Sequence, residues 1–198
     1  MSKPLKIAIA VLLGSVLAAG IWFWFSENPI PKPRGYYRID LPEHAYTEYD
    51  TPCAIHLSMP NSSKLELVEN HVSADSCWFN IAYPKFNAKI HCTYVRVNNN
   101  FDRLVNDAYE FAAKHQVKAS AIRTSLIEEP ANRVYGVVYE MDGEAASQVQ
   151  FYLSDSTRHF MRGALYFFNT PNPDSIAPVL QFIREDLIHI TTQLRWKD

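Results

Sequence analysis

The chain opens with a run of hydrophobic positions and then changes character. From Ile7 to Phe25 it reads IAIAVLLGSVLAAGIWFWF, 19 residues without a charge. As a helix this run would span about 28 Å, close to a bilayer's hydrocarbon core of roughly 30 Å. Beyond Gly35 the apolar residues recur at short, regular spacings. Cys53, Ile55, Leu57 and Met59 alternate with polar neighbours, as do Cys77, Phe79, Ile81 and Tyr83. Both predict half-buried strands. Ala88 to Val97 predicts a third, joined to the second through Pro84-Lys85-Phe86-Asn87. Proline cannot adopt a positive φ, so a four-residue turn is expected there in place of a two-residue one.

Phe101, Leu104, Val105, Ala108, Phe111, Ala112 and His115 then recur every three or four residues. They predict a helix with Asn100 as cap, Asp102 in its first turn and Lys114 in its last. Lys118 to Ile127 reads as a strand. Val134 to Met141 runs into Asp142-Gly143, a hairpin turn signal. Val149, Phe151 and Leu153 alternate on the return, and Ser154 to Thr157 turns the chain into His159 to Phe168. This predicts a three-strand meander. A closing helix follows, with Asp174 as cap and Pro178 in or near its first turn. Its stripe is Ile176, Val179, Leu180, Ile183, Leu187, Ile190 and Leu194. The fold class is therefore α+β: a mostly antiparallel sheet packed by two main helices, preceded by one N-terminal transmembrane helix.

Three segments follow from this pattern: residues 1–25 as anchor or signal segment, 26–35 as linker, and 36–198 as the folded domain. Ten Ile, Leu, Val or Phe residues favour insertion of the first segment, by roughly 3–6 kcal/mol in sum. Lys3 and Lys6 precede it and favour a cytoplasmic N-terminus, while Lys32, Arg34 and Arg38 follow it and oppose that bias. A cleaved signal peptide is the alternative, with Ala18, Ala19 and Gly20 as a cleavage region. The linker SENPIPKPRG alternates Pro29, Pro31 and Pro33, as extended spacers do. Without residues 1–25 the chain holds 17 basic and 21 acidic residues. That balance excludes the positive field needed for nucleic acid.

The candidate chemistry is sparse. Seven histidines are scattered with no metal-ligand spacing, so neither a metal nor a cofactor is expected. The turn Ser154-Asp155-Ser156-Thr157-Arg158-His159 holds a hydroxyl, an acid and an imidazole. Turn preference accounts for Ser, Asp and Thr there, and a hydrolase would need Ser156 and His159 to converge in a pocket. Glu128-Glu129 and Glu185-Asp186 are read as solvated carboxylates, the second pair on the polar face of the last helix. Tyr36, Tyr37, Tyr46 and Tyr49, with Arg34 and Arg38, form either a partner-binding cluster or a strand and loop along the domain edge.

Three blocks carry a family resemblance. They are PKPRGYYRIDLP (Pro31 to Pro42), CWFNIAYPKFNAKIH (Cys77 to His91), and QFYLSDSTRHFMRGALYFFNTPNPDSIAP (Gln150 to Pro178) with Leu194-Arg195-Trp196. Together they resemble the GldD gliding-motility lipoproteins of Bacteroidota, over nearly the whole domain. The resemblance implies a non-enzymatic, periplasm-facing role in gliding and in the type IX secretion machinery, and a fold like the PsbP/Mog1 sandwich. A small-ligand or lipid-binding module on the aromatic-rich sheet is the alternative function. The family also has cysteines at Cys53 and Cys77, which implies that pair as the disulfide candidate. Cys77–Cys92 is the rival, although the turn at 84–87 sets Cys92 opposite Phe79. Three buried thiols are the third alternative. One departure stands out: Leu17-Ala18-Ala19 is followed by Gly20, and no cysteine precedes Cys53. With no thiol to take a lipid, the hydrophobic run itself is expected to hold the chain in the inner membrane, with the domain in the periplasm.

Overall fold

The computed structural model describes residues 3–25, 35, 38–73, 75–114, 118–169 and 173–197. The chain divides into two compact units, Met1–Tyr37 and Arg38–Asp198. The first contains helix α1, Lys3–Phe25, which is without charge beyond Lys6. Its stretch from Lys3 to Trp24 is long and apolar enough to cross a membrane, and none of it is buried by protein.

The second unit is α+β. A seven-stranded antiparallel sheet runs in the order β3 (Lys64–Val72), β4 (Ser76–Tyr83), β5 (Ala88–Arg96), β9 (His159–Phe167), β8 (Ser147–Ser154), β7 (Val134–Gly143), β6 (Ala119–Glu129). A smaller sheet pairs β1 (Tyr46–Asp50) and β10 (Arg195–Trp196) with opposite sides of β2 (Ile55–Pro60). Helix α2 (Phe101–Ala113) lies against one face of the large sheet, near Tyr139, Met141 and Tyr152. Helix α3 (Pro173–Gln193) and β2 cover the other face.

The main core lies on the α3 face. It joins Ile55, Leu57 and Met59 of β2 to Phe79, Ile81, Ile90, Phe151, Leu153, Met161 and Leu165 of the sheet. Val179, Phe182, Ile183, Leu187 and Ile190 close it from α3. Burying each such side chain is worth about 1.5–3 kcal/mol. The 84–87 connection is a single 3-10 turn ending on Asn87 at φ 49°. It sets Phe79 opposite Cys92, the register read from the turn length. Cys53 and Cys77 are bonded, with Cα atoms 5.6 Å apart and a sequence separation of 24. Closing a loop of that size removes roughly 3 kcal/mol of unfolded-chain entropy. Cys92 is a buried free thiol whose pKa burial pushes up.

Several expectations are corrected. Asn100 does not cap α2 with its side chain; its Oδ1 accepts from the Asn98 N–H at 2.8 Å. The fully buried face of α2 is only Ala108 and Ala112, and Phe111 is 41% exposed. His115 lies outside the described residues. Asp142-Gly143 is not the hairpin turn: both residues pair with β6, and the chain reverses at 144–146. Gly143 takes φ 95° there, a conformation that side chains disfavour. Asp174 sits inside α3 behind Pro173, and Pro178 lies in the second turn. Strands β3 and β10 were not anticipated, whereas β1 matches the edge strand that was one of the two readings of the segment holding Tyr46 and Tyr49.

Gly163 of β9 marks a close approach. An added Cβ would stand 2.2 Å from Cζ of Phe151, a ring buried in the main core. Gly163→Ala is therefore expected to destabilise the domain by about 1–3 kcal/mol in chemical denaturation. Gly35→Ala, with nothing near its Cβ position, should change stability by less than about 0.5 kcal/mol. Equal effects would contradict this account of the core.

Candidate functional site

Asp186 is a buried acid whose partners come from a distant part of the chain. It occupies the apolar side of α3 and is 0% exposed. Its position corrects the solvated reading, while neighbouring Glu185 is indeed half exposed. Asp186 Oδ1 lies 2.7 Å from His44 Nδ1 and accepts the Tyr46 hydroxyl at 3.1 Å. His44 Nε2 lies 3.0 Å from Glu185 Oε2. Both ring nitrogens therefore face carboxylates. The His44 ring stacks on Phe182 at 4.3 Å, and Tyr46 on His189 at 3.5 Å. His189 Nε2 is 2.9 Å from Ser58 Oγ.

The electrostatics follow the geometry. Burial first, then the Asp186 charge, pushes the Tyr46 phenol up to about 12. The same two causes raise Tyr83, with a further contribution from hydrogen bonding toward the Asp186 side chain, although its buried hydroxyl makes no bond of ordinary geometry among the described residues. Asp186 Oδ2 is likewise without one. Burial holds His189 below the usual imidazole range, opposed by Asp186 and Glu48. The cluster fastens residues 44–46, at the start of the folded unit, to α3. None of the four grooves described below is lined by these side chains.

The 154–159 turn separates its candidate groups. His159 is buried, its Nδ1 lies 2.8 Å from the Tyr94 hydroxyl, and its ring stacks on Trp196 at 5.1 Å. Ser156 is exposed at φ 65° and lines an open groove with Asn98 to Arg103; His159 does not line it. The Asp155 carboxylate accepts N–H bonds from Thr157, Arg158 and His159. Burial would raise its pKa, but those bonds hold it below the usual value. Ser154 Oγ donates to the His159 carbonyl at 2.6 Å, and no side-chain contact joins Ser156 to His159.

Other candidates are placed as follows. Arg34, Tyr36 and Tyr37 lie outside the described residues. Arg38 is exposed, with its Nε 3.9 Å from Asp40 Oδ1. No group of three or more histidine, cysteine or acidic side chains among the described residues could hold a metal. A slot of about 370 Å³ runs between β6, β7, β8 and α3, lined by Ser125, Ile127, Val138, Phe151, Leu187 and Ile188. Arg184 Nε pairs with Glu140 Oε1 at 2.9 Å beside it. On the opposite face a hollow of about 210 Å³ includes Leu126, Val137 and Tyr152. A groove of about 490 Å³ beside α2 includes Trp78, His91 and Arg162.

Two outcomes are expected. Asp186→Ala removes the shared acceptor of His44 and Tyr46 and should cost about 1–3 kcal/mol, as leaving partly buried donors without their acceptor does. Hydrogen exchange should then accelerate at residues 44–50; unchanged exchange and stability would refute the clasp. For His159, burial first holds the imidazole pKa below its ordinary value. The unfolded chain therefore binds a proton, at about pH 6.5, before the folded one does. Stability from this group is full above that pH and is lost as pH falls through and below it. His159→Phe should flatten the stability profile between about pH 7 and 5; an unchanged slope would contradict this.

Comparison with known proteins places these features. The family described as gliding motility lipoprotein GldD matches residues 26–196. A solved structure, the solution structure of cyanobacterial PsbP (CyanoP) from Synechocystis sp. PCC 6803, is similar at 8% identity. It covers 81% of this chain and 98% of its own, with a TM-score of 0.45. No curated protein matches the chain. The family match spans the linker, both sheets and both domain helices, so the chain belongs to the gliding motility lipoprotein GldD family and is a gliding-associated envelope protein.

Proposed function

We propose that this protein is a non-enzymatic, inner-membrane-anchored periplasmic component that supports gliding and the type IX secretion machinery. The observation that carries this reading is the family match over residues 26–196. The chemistry agrees with it. The carboxylates of Asp155 and Asp186 and the imidazoles of His44, His159 and His189 are bound to other side chains or to backbone, as structural groups are.

The anchor follows from partition. Helix α1 is uncharged from Ile7 to Phe25, and its stretch from Lys3 to Trp24 has the length and composition to cross a bilayer. No cysteine precedes Cys53, so a lipid has no thiol to attach to and α1 itself takes the anchoring role. A bonded Cys53–Cys77 pair agrees with an oxidising compartment. Arg34, Tyr36, Tyr37 and Arg38 are proposed to contact envelope partners, since Arg and Tyr are the residues that anchor interfaces well. A second reading, a small-ligand or lipid-binding module, is favoured by the apolar slot of about 370 Å³ beside α3, a size within the range of ligand pockets.

Deletion of the chain from its gliding host should abolish spreading and reduce type IX cargo in the medium. Affinity purification should recover envelope-complex components. Substituting Ala at all four positions 34 and 36–38 should weaken that recovery without loss of the folded domain. Intact gliding and secretion in the deletion would refute the role. Gliding restored by the domain only when its slot is open, and lost with Ile188→Trp, would favour the ligand-binding reading.

A further inference from the structure

The large sheet ends in two edges that differ in how they are protected. Strand β3 carries Lys64, Glu66 and Glu69, and its ladder to β4 breaks between Leu67 and Val72. Charge and irregularity both discourage a further strand. Strand β6 pairs continuously with β7 from Ala121 to Glu129. Its centre, Thr124-Ser125-Leu126-Ile127, has no charge, proline or register break. Half of its backbone N–H and C=O groups point away from β7, where the sheet order places no strand.

Apolar surface accompanies this open edge. Leu126 is 72% exposed on the α2 face, and Ile188 of α3 is 64% exposed beside the slot. The edge is hollow on both sides, with the 370 Å³ slot on the α3 face and the 210 Å³ hollow on the α2 face. Side chains of an added strand alternate between faces. They would fall over one hollow and then the other.

We propose that the occupant is β6 of a second copy, paired antiparallel about a two-fold axis at Leu126. Symmetry restricts the register. The axis stands perpendicular to the sheet, so opposed residues lie on the same face. Centring on Leu126 sets Leu126 against itself and Arg123 against Glu129, twice over. Centring on Ser125 sets Arg123 against Ile127, and centring on Ile127 sets Leu126 against Glu128. Only the first of these joins apolar to apolar and cation to anion. Glu128 and Glu129 make no ion pair among the described residues, and Arg123, which already meets Asp142 and Glu140, has five N–H donors to share. The same axis keeps both α3 helices on one face, with Ile188 of each copy flanking the seam. The pairing doubles the sheet and covers its unprotected edge.

The test uses the full-length protein in detergent and is independent of the role in gliding. Leu126→Cys should form a disulfide-linked dimer of twice 22.7 kDa under mild oxidation, because directly opposed Cβ atoms lie about 4.5–5.5 Å apart. Leu67→Cys, at the exposed part of the β3 edge, should stay monomeric. The wild type should sediment as a dimer, and Leu126→Lys, with its circular dichroism unchanged, should lose it. A monomeric wild type would overturn the proposal. So would equal cross-linking at both cysteines, or a dimer that survives Leu126→Lys, since α1 or another surface would then hold the copies together.

Discussion

A sheet with two apolar faces has to be covered twice, and here the two covers are unequal. On one face α3 and β2 supply Ile, Leu, Val, Phe and Met side chains that interlock with Phe79, Phe151 and Met161. On the other, α2 brings little more than Ala108 and Ala112 into full burial. The strength of the α3 contact explains most of what is fixed in the molecule. It accounts for the Phe151 ring lying over Gly163. It also explains how a small three-stranded sheet, too short to stand alone, is held in place.

The same contact explains Asp186. A carboxylate in an apolar seam is costly unless it is paired and hydrogen-bonded. His44 and Tyr46 provide both, and they come from the first residues of the folded unit. A buried charge of this kind favours one arrangement over many. Residues 44–46 are thereby fixed to α3.

Much of this was legible in the sequence, for physical reasons. Period-two runs such as Cys77 to Tyr83 lie in strands with one side buried, and the turn length between β4 and β5 set Phe79 against Cys92. Strand β3 was hidden because Lys64-Leu65-Glu66-Leu67 gives way to Glu69-Asn70-His71 at an edge, where little needs burying. Asp142-Gly143 carried a true turn signal, but its left-handed glycine serves the β6 pairing instead. Asp186 was misread because an acid was assumed to lie outside the apolar stripe. It sits four residues after Phe182 and four before Ile190, so its spacing already placed it within that stripe. The His44 and Tyr46 partners could not be read, since they lie some 140 positions away.

A periplasmic role requires the folded unit to lie across the membrane from the cytoplasm. Helix α1 has the length and composition to cross a bilayer, and the positive charges flanking it do not by themselves fix direction. Paired fusions to alkaline phosphatase and to a cytosolic fluorescent protein after Asp198 measure that side directly. An active phosphatase with a dark fluorescent fusion, both sedimenting with membranes, is the expected result. A dark phosphatase and a bright fluorescent fusion would put the domain in the cytoplasm and remove the basis for an envelope role.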